Sequence, residues 1–238
     1  FIFNKMFFIS PPFGNYINLP NTTQIKGSYT LEPREGLISQ ILKTLRYSYT
    51  YNGWVNKIGL RNKGLDYAIA NYKKQNVYSI AILNEVEIPK ILDKIPEDMN
   101  IELNISCPNA EKKMINNGLH DFLNNKRKWC IIKLSPKTEM DLVDNYYKQG
   151  FRQFHCSNTI PIKEGGLSGQ SLIPYNNKLI TNIKSKYNDV EIISGGGIRQ
   201  WNDVINYKLL GASHFSVSTL CFNPIRLSIL YYDYLKNK

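Results

Sequence analysis

Asn104, Ser106, Cys107 and Asn109 place two amides, a hydroxyl and a thiol within one short stretch. They follow the strand-like run Ile101-Glu102-Leu103, and Pro108 prevents that run from continuing as strand or helix. A thiol with an accessible thiolate can serve as a general base. A cysteine packed among apolar groups is only a small hydrophobe, and the loop setting of Cys107 favours the base. Each amide offers a donor pair and an acceptor. Asn56, Asn104, Asn109 and Asn158 together suit a planar ring of alternating N–H and C=O groups. Asn56 taken alone is equally a turn former.

A second constellation points to an anion. The clusters "EGGLSG" (164–169) and "SGGGI" (194–198) and the pair Ser218-Thr219 lie late in the chain. Glycine lets backbone N–H groups come close to a phosphate; its plainer use is in turns of positive φ. Lys133 closes the apolar run "WCIIKL", where it either snorkels to the rim or meets the anionic part of a ligand.

These residues must be positioned by regular elements. From residue 76 onward, β-rich runs alternate with amphipathic helical stretches, the mark of parallel βαβ units. Strands are expected at Val77-Leu83, Asn100-Ile105, Trp129-Leu134, Gly150-Ser157, Asp189-Ser194 and Ala212-Val217. Helices are expected at Glu85-Lys94, Lys137-Lys148, Leu179-Lys186, Trp201-Leu210 and Pro224-Lys236. Phe7-Ser10, Gln24-Thr30 and Gly53-Ile58 are further strand candidates. Nine candidates exceed by one the eight of a closed (β/α)8 TIM barrel, so one is a loop or a side strand. No G-x-G-x-x-G follows the first strand, which argues against a Rossmann sheet. In a barrel the active site lies at the C-terminal strand ends, and five consecutive strands end in the polar groups named above. The expected architecture is a single α/β barrel domain over residues 1–238, shortened on its N-terminal side.

Bulk composition narrows the function. A hydrophobic share of 42% and an aromatic share of 12% suffice for a packed core and argue against disorder. The net charge of +11 would suit an acidic partner, but the basic residues are scattered, so no nucleic-acid partner is expected. Cys107, Cys130, Cys156 and Cys221 show no metal-ligand spacing, so neither a metal nor a disulfide framework is expected. A reducing compartment, the cytoplasm, fits best. No apolar run is long enough for a membrane span.

In sequence order, "GSYTLEPREG" (27–36), "GWVNKIGLRNKG" (53–64), "NISCPN", "IKLSP", "SNT", "GGLSG" and "SGGGI" resemble the dihydroorotate dehydrogenases, flavin enzymes of pyrimidine synthesis. The resemblance implies a barrel that holds FMN and oxidises dihydroorotate to orotate. It makes Cys107 the base and assigns Asn56, Asn104, Asn109, Asn158 and Thr159 to the pyrimidine. Gly27, Ser28, Asn104, Lys133 and Ser157 would lie along the flavin, and Ser168, Gly169, Gly196, Gly197, Ser218 and Thr219 at its phosphate end. The resemblance leaves the oxidant open between fumarate, NAD through a partner and quinone, with a soluble acceptor such as fumarate as the expectation; a homodimer stays open too.

The chain also departs from the family. Soluble members carry a lysine where this chain has Gly27. Lys26 stands one residue earlier, which on a strand faces the opposite side unless a bulge intervenes. The segment after the first strand, with Pro11-Pro12, is too short for the usual first helix. Two other readings are a related flavin barrel acting on another dihydropyrimidine or on dihydrouridine in tRNA, and a flavoprotein scaffold without catalysis.

Overall fold

The computed structural model describes residues 5–105, 115 and 118–238. The strands are β1 (Phe7–Ile9), β2 (Thr22–Tyr29), β3 (Arg46–Ser48), β4 (Gly53–Asn56), β5 (Val77–Ile80), β6 (Ile101–Leu103), β7 (Cys130–Leu134), β8 (Gln153–Cys156), β9 (Ile160–Ile162), β10 (Gly165–Gly169), β11 (Glu191–Ser194) and β12 (His214–Val217). The helices are α1 (Leu37–Thr44), α2 (Leu65–Ala70), α3 (Ile88–Lys94), α4 (Met140–Lys148), α5 (Ile173–Lys186), α6 (Trp201–Leu209) and α7 (Pro224–Lys236). Eight strands close a barrel in the order β1-β12-β11-β8-β7-β6-β5-β2, and every pairing around it is parallel. The other four form an antiparallel sheet, β3-β4-β10-β9. The surplus ninth candidate, Gly53-Ile58, is therefore the side strand β4.

Alternation along the strands sorts the core into two layers. Phe7 and Ile9, Ile132 and Ile192 face the helices and join the large outer cluster. Their neighbours Phe8, Ile131 and Ile193 join a separate cluster with Ile25, Val77 and Trp129. The Phe8 and Trp129 rings meet edge-to-face with centroids 5.3 Å apart. Phe8 lies on β1 and Trp129 just before β7, strands that stand four places apart around the eight-strand ring, so the rings meet through the lumen. This apolar plug fills one end of the barrel and leaves the C-terminal strand ends for chemistry.

Two expected elements take another form in the structure, and a third bears its expectation out. The segment "GGLSG", expected as a phosphate loop, is strand β10, paired antiparallel with β4. A Cβ at Gly53 would collide with the Ser168 carbonyl, and one at Gly165 with that of Asn56, so the glycines here permit close backbone approach. Helix α5 begins at Ile173, earlier than the expected Leu179; Pro174 reads as a breaker but sits in the first turn, where no N–H is needed. The β1–β2 connection holds a short 3-10 turn, Phe13–Asn15, in place of a barrel helix, as its length implies.

The last helix locks the barrel seam. Tyr234 is buried, its ring stacks edge-on against Phe7 and Phe215, and its hydroxyl donates to the Asn21 carbonyl at 2.9 Å. Tyr234→Ala is expected to cost about 3–5 kcal/mol, the usual range for emptying a buried aromatic site, seen as a lower urea midpoint with an unchanged slope.

Candidate active site

A cavity of about 680 Å³ opens at the C-terminal ends of the barrel strands. Its walls include the residues just past β1, β6, β8, β11 and β12, and the side sheet adds Asn56 from β4 and Ser168 and Gly169 from β10. Of the residues expected to meet a pyrimidine, Asn56, Asn104, Asn158 and Thr159 line it. Gly27, Ser28, Lys133 and Ser157 line it as well. So do the residues expected at a phosphate: Ser168, Gly169, Gly196, Gly197, Ser218 and Thr219. Cys107 and Asn109 lie outside the described residues.

Beneath the cavity the lumen is polar. Glu102 on β6 and Lys133 on β7 project inward, because Ile101, Leu103 and Ile132 take the outward positions of the same strands. Glu102 has no exposed surface. Its Oε1 accepts from Ser79 Oγ at 2.7 Å and from Lys133 Nζ at 3.2 Å, and its Oε2 faces His155 Nδ1 at 2.5 Å. His155 Nε2 lies 2.7 Å from Ser216 Oγ. Burial alone would raise the Glu102 carboxyl, but the Lys133 ammonium, His155 and the Ser79 hydroxyl outweigh it and hold it at about 2. Burial lowers His155, more than Glu102 raises it, so the imidazole is neutral. An ionised carboxylate only accepts, so His155 carries its proton on Nδ1 and accepts from Ser216 on Nε2.

The same logic orients the rest of the network. Ser79 gives its one proton to Glu102, so Ser28 donates to Ser79 across 2.8 Å. Asn104 Nδ2 donates to Ser28 Oγ at 2.9 Å. Asn158 Nδ2 donates to Asn104 Oδ1 at 3.2 Å, and Asn158 Oδ1 accepts from the Thr159 N–H at 2.9 Å. At the other corner, Tyr207 OH and Asn176 Nδ2 donate to the glycine-loop carbonyls, Tyr207 to Gly196 at 2.9 Å and Asn176 to Gly195 at 2.7 Å. A Cβ at Gly195 would collide with Ser216 Oγ and Ser157 Oγ. Two buried hydroxyls of the cavity, Ser10 Oγ and Thr159 Oγ1, have no partner among the described residues.

A sequence profile described as dihydroorotate dehydrogenase matches residues 15–227. The chain belongs to the dihydroorotate dehydrogenase family. It is 27% identical over 248 residues to the dihydroorotate dehydrogenase B (NAD(+)), catalytic subunit, of Bacteroides thetaiotaomicron, covering 90% of this chain and 80% of that protein. It is 31% identical over 231 residues to the protein of the same name from Petrotoga mobilis, covering 82% and 75%. Among solved structures, the ligand-free DHODH of Eimeria tenella superposes with a TM-score of 0.65 at 18% identity, over 90% of this chain and 76% of that one, a likeness of fold. The family is flavin-dependent, and the barrel is the one its members share.

Against the family pattern, Lys26 is the clearest departure. It pairs in register with Tyr78, while Gly27 pairs with Ser79, and the strand irregularity falls after Gly27. Ser79 points into the lumen, so Lys26 takes the opposite phase of β2 with Tyr78, where it lines the cavity wall beside Tyr78 and Lys73 rather than the polar floor. Burial and the nearby Lys73 lower its pKa. Sequence reasoning missed Ser10, Ser79, Glu102, His155, Gly195 and Ser216. Glu102 and His155 carried a usable signal: each is an ionisable residue between apolar neighbours on a fully buried strand, where its side chain must meet partners.

Both ionisable groups make stability rise with pH. His155 is lowered from 6.5 in the fold, so below that value the unfolded chain binds more protons and the fold weakens. Glu102 is lowered from 4.5 to about 2; its contribution is complete above 4.5 and is lost as pH falls towards 2. The charged groups that act on His155 are Glu102 and Lys133. Urea midpoints of the ligand-free protein should be flat between about pH 6.5 and 8 and fall below about pH 6.5. In His155→Gln the first fall should vanish and the one below pH 4.5 remain.

Proposed function

We propose that this chain binds FMN and oxidises dihydroorotate to orotate, with Cys107 as the base. The observation that carries the reading is convergence: residues matched to substrate, flavin and phosphate, drawn from stretches spread between positions 27 and 219, line one cavity. The cavity suits the cofactor. Its volume lies in the range of about 300–1,000 Å³ typical of ligand sites, a Cβ at Gly195, Gly196 or Gly197 in the loop after β11 would collide with the residues packed against it, and among the described residues two buried hydroxyls have no partner.

Ser168, Gly169, Gly196, Gly197, Ser218 and Thr219 would hold the phosphate, with Gly27, Ser28, Ser157 and Lys133 along the rest of the flavin. Bound flavin supplies the two-electron acceptor for the hydride that leaves C6 of the substrate. Asn56, Asn104, Asn109, Asn158 and Thr159 hold the pyrimidine so that its C5–H meets the base, and Cys107 takes that proton. Loss of the proton and the hydride leaves the C5=C6 double bond of orotate. Burial pushes the Cys130 and Cys221 thiols up to about 12 and Cys156 upward as well. These three are held as thiols, which leaves Cys107 for thiolate chemistry.

The relatives named above are catalytic subunits of NAD(+)-linked enzymes. That favours an electron-accepting partner subunit over the free fumarate expected from sequence. The test is anaerobic. Dihydroorotate added to the purified protein should bleach its flavin band near ~450 nm, and a band that persists would move the non-catalytic scaffold to the front. Cys107→Ala should keep the band and lose the bleaching, by at least about 100-fold in rate, the usual contribution of a general base. Unchanged bleaching would sink the assignment of Cys107.

A further inference from the structure

The catalytic proposal leaves unused the most deeply buried ionisable cluster in the lumen. Glu102, Ser79 and His155 have no exposed surface and Ser216 has 1%. These residues touch no ligand in that proposal; they sit below those that would. Their hydrogen bonds run in one direction. From the Thr159 N–H the donors pass through Asn158, Asn104, Ser28 and Ser79 to Glu102 Oε1. From the opposite side Ser216 donates to His155, and His155 to Glu102 Oε2. Lys133 reaches the same carboxylate from the neighbouring strand. Each link is determined by the one nearer Glu102, because a hydroxyl that donates inward accepts from outside, an imidazole that donates on one nitrogen accepts on the other, and an amide that turns its NH2 inward turns its oxygen outward.

We propose that Glu102 is the positioning residue of this site: its buried carboxylate is the acceptor toward which the donors beneath the cavity turn, and it thereby sets the position of the Lys133 ammonium and the sense in which Asn104 and Asn158 meet the pyrimidine. The part that concerns substrate and flavin rests on the function proposed above. The network itself does not, and the two are separable by experiment.

A purely structural ion pair and a positioning carboxylate differ in what Glu102→Gln does. Glutamine keeps the volume but holds one acceptor and one donor group. Its oxygen stays with the Lys133 ammonium and Ser79, so its NH2 faces His155. His155 must then accept on Nδ1, carry its proton on Nε2 and donate to Ser216. Nitrogen-15 NMR of histidine-labelled protein free of flavin reads this directly, since the chain has 3 His and His155→Gln identifies the signal. The expected result is an Nδ1–H tautomer at pH 7 in the wild type and Nε2–H in Glu102→Gln. A wild-type Nε2–H tautomer, an imidazolium, or no change in the variant would overturn the proposal.

The second measurement is the midpoint potential of bound flavin. With its counter-charge gone, Lys133 favours the negative charge that the cofactor gains on reduction. Glu102→Gln should raise the ratio of affinities for reduced and oxidised flavin about tenfold, about 30 mV for a two-electron couple. An unchanged or lower potential would overturn the placing of Lys133 by Glu102. Should Glu102→Gln fail to fold, Ser79→Ala carries the test. It cuts the amide arm while leaving Lys133 paired, so KM for dihydroorotate should rise at least threefold with the potential unmoved. An unchanged KM would overturn the amide arm. If no flavin binds at all, the function reading fails and the histidine tautomer still decides the network.

Discussion

A carboxylate with no exposed surface is tolerable only when donors surround it, and this one requirement organises the upper half of the barrel. Removing Glu102 from water would cost several kcal/mol unless the charge were paired and its lone pairs filled. β5 contributes Ser79, β7 Lys133 and β8 His155, all on the inward phase of their strands. Those inward positions are consequently closed to apolar residues, and the lumen divides into an aromatic-aliphatic plug below and a hydrogen-bonded floor above. Register matters here. A slip of one residue on β6 would put Ile101 or Leu103 in the lumen and Glu102 among the helices.

Much of this architecture is visible in the sequence. From β7 onward the barrel strands are short apolar runs that alternate with helices, and their polar C-terminal ends mark the mouth. What stayed hidden has physical reasons. The segment "GGLSG" reads equally as a loop or as a strand, because glycine is needed wherever backbone comes close; only the carbonyls of Asn56 and Ser168 on the paired strands decide it. Helix α5 begins six residues before the expected Leu179, because Pro174 sits in its first turn, where no N–H is needed. Glu102 and His155 lie in different βαβ units, and only closure of the barrel brings them within 2.5 Å.

The side sheet answers a different need. A parallel barrel ends in an open ring of strand tips, and water there would solvate any charge within reach. Strands β4 and β10 bring Asn56, Ser168 and Gly169 over that opening, and helix α1 adds Leu37 and Ile41 to the same cavity. The walls therefore combine apolar cover with a few placed polar groups, as ligand sites commonly do.

The departure at Lys26 follows from packing. A side chain at position 27 would bring its Cβ within 2.5 Å of the Ser79 carbonyl oxygen and 2.9 Å of the Tyr29 ring. The backbone there also has a φ of +114°, a conformation that L side chains rarely adopt. No lysine fits at that place in this chain. Lys26 lines the cavity from the other phase of β2; bringing it onto the inward phase would slip β2 against β5 and break the Ser28–Ser79 link that continues the donor chain. The ammonium at the cavity floor therefore comes from β7 as Lys133, and its neighbour Glu102 is the group that makes a buried cation there affordable.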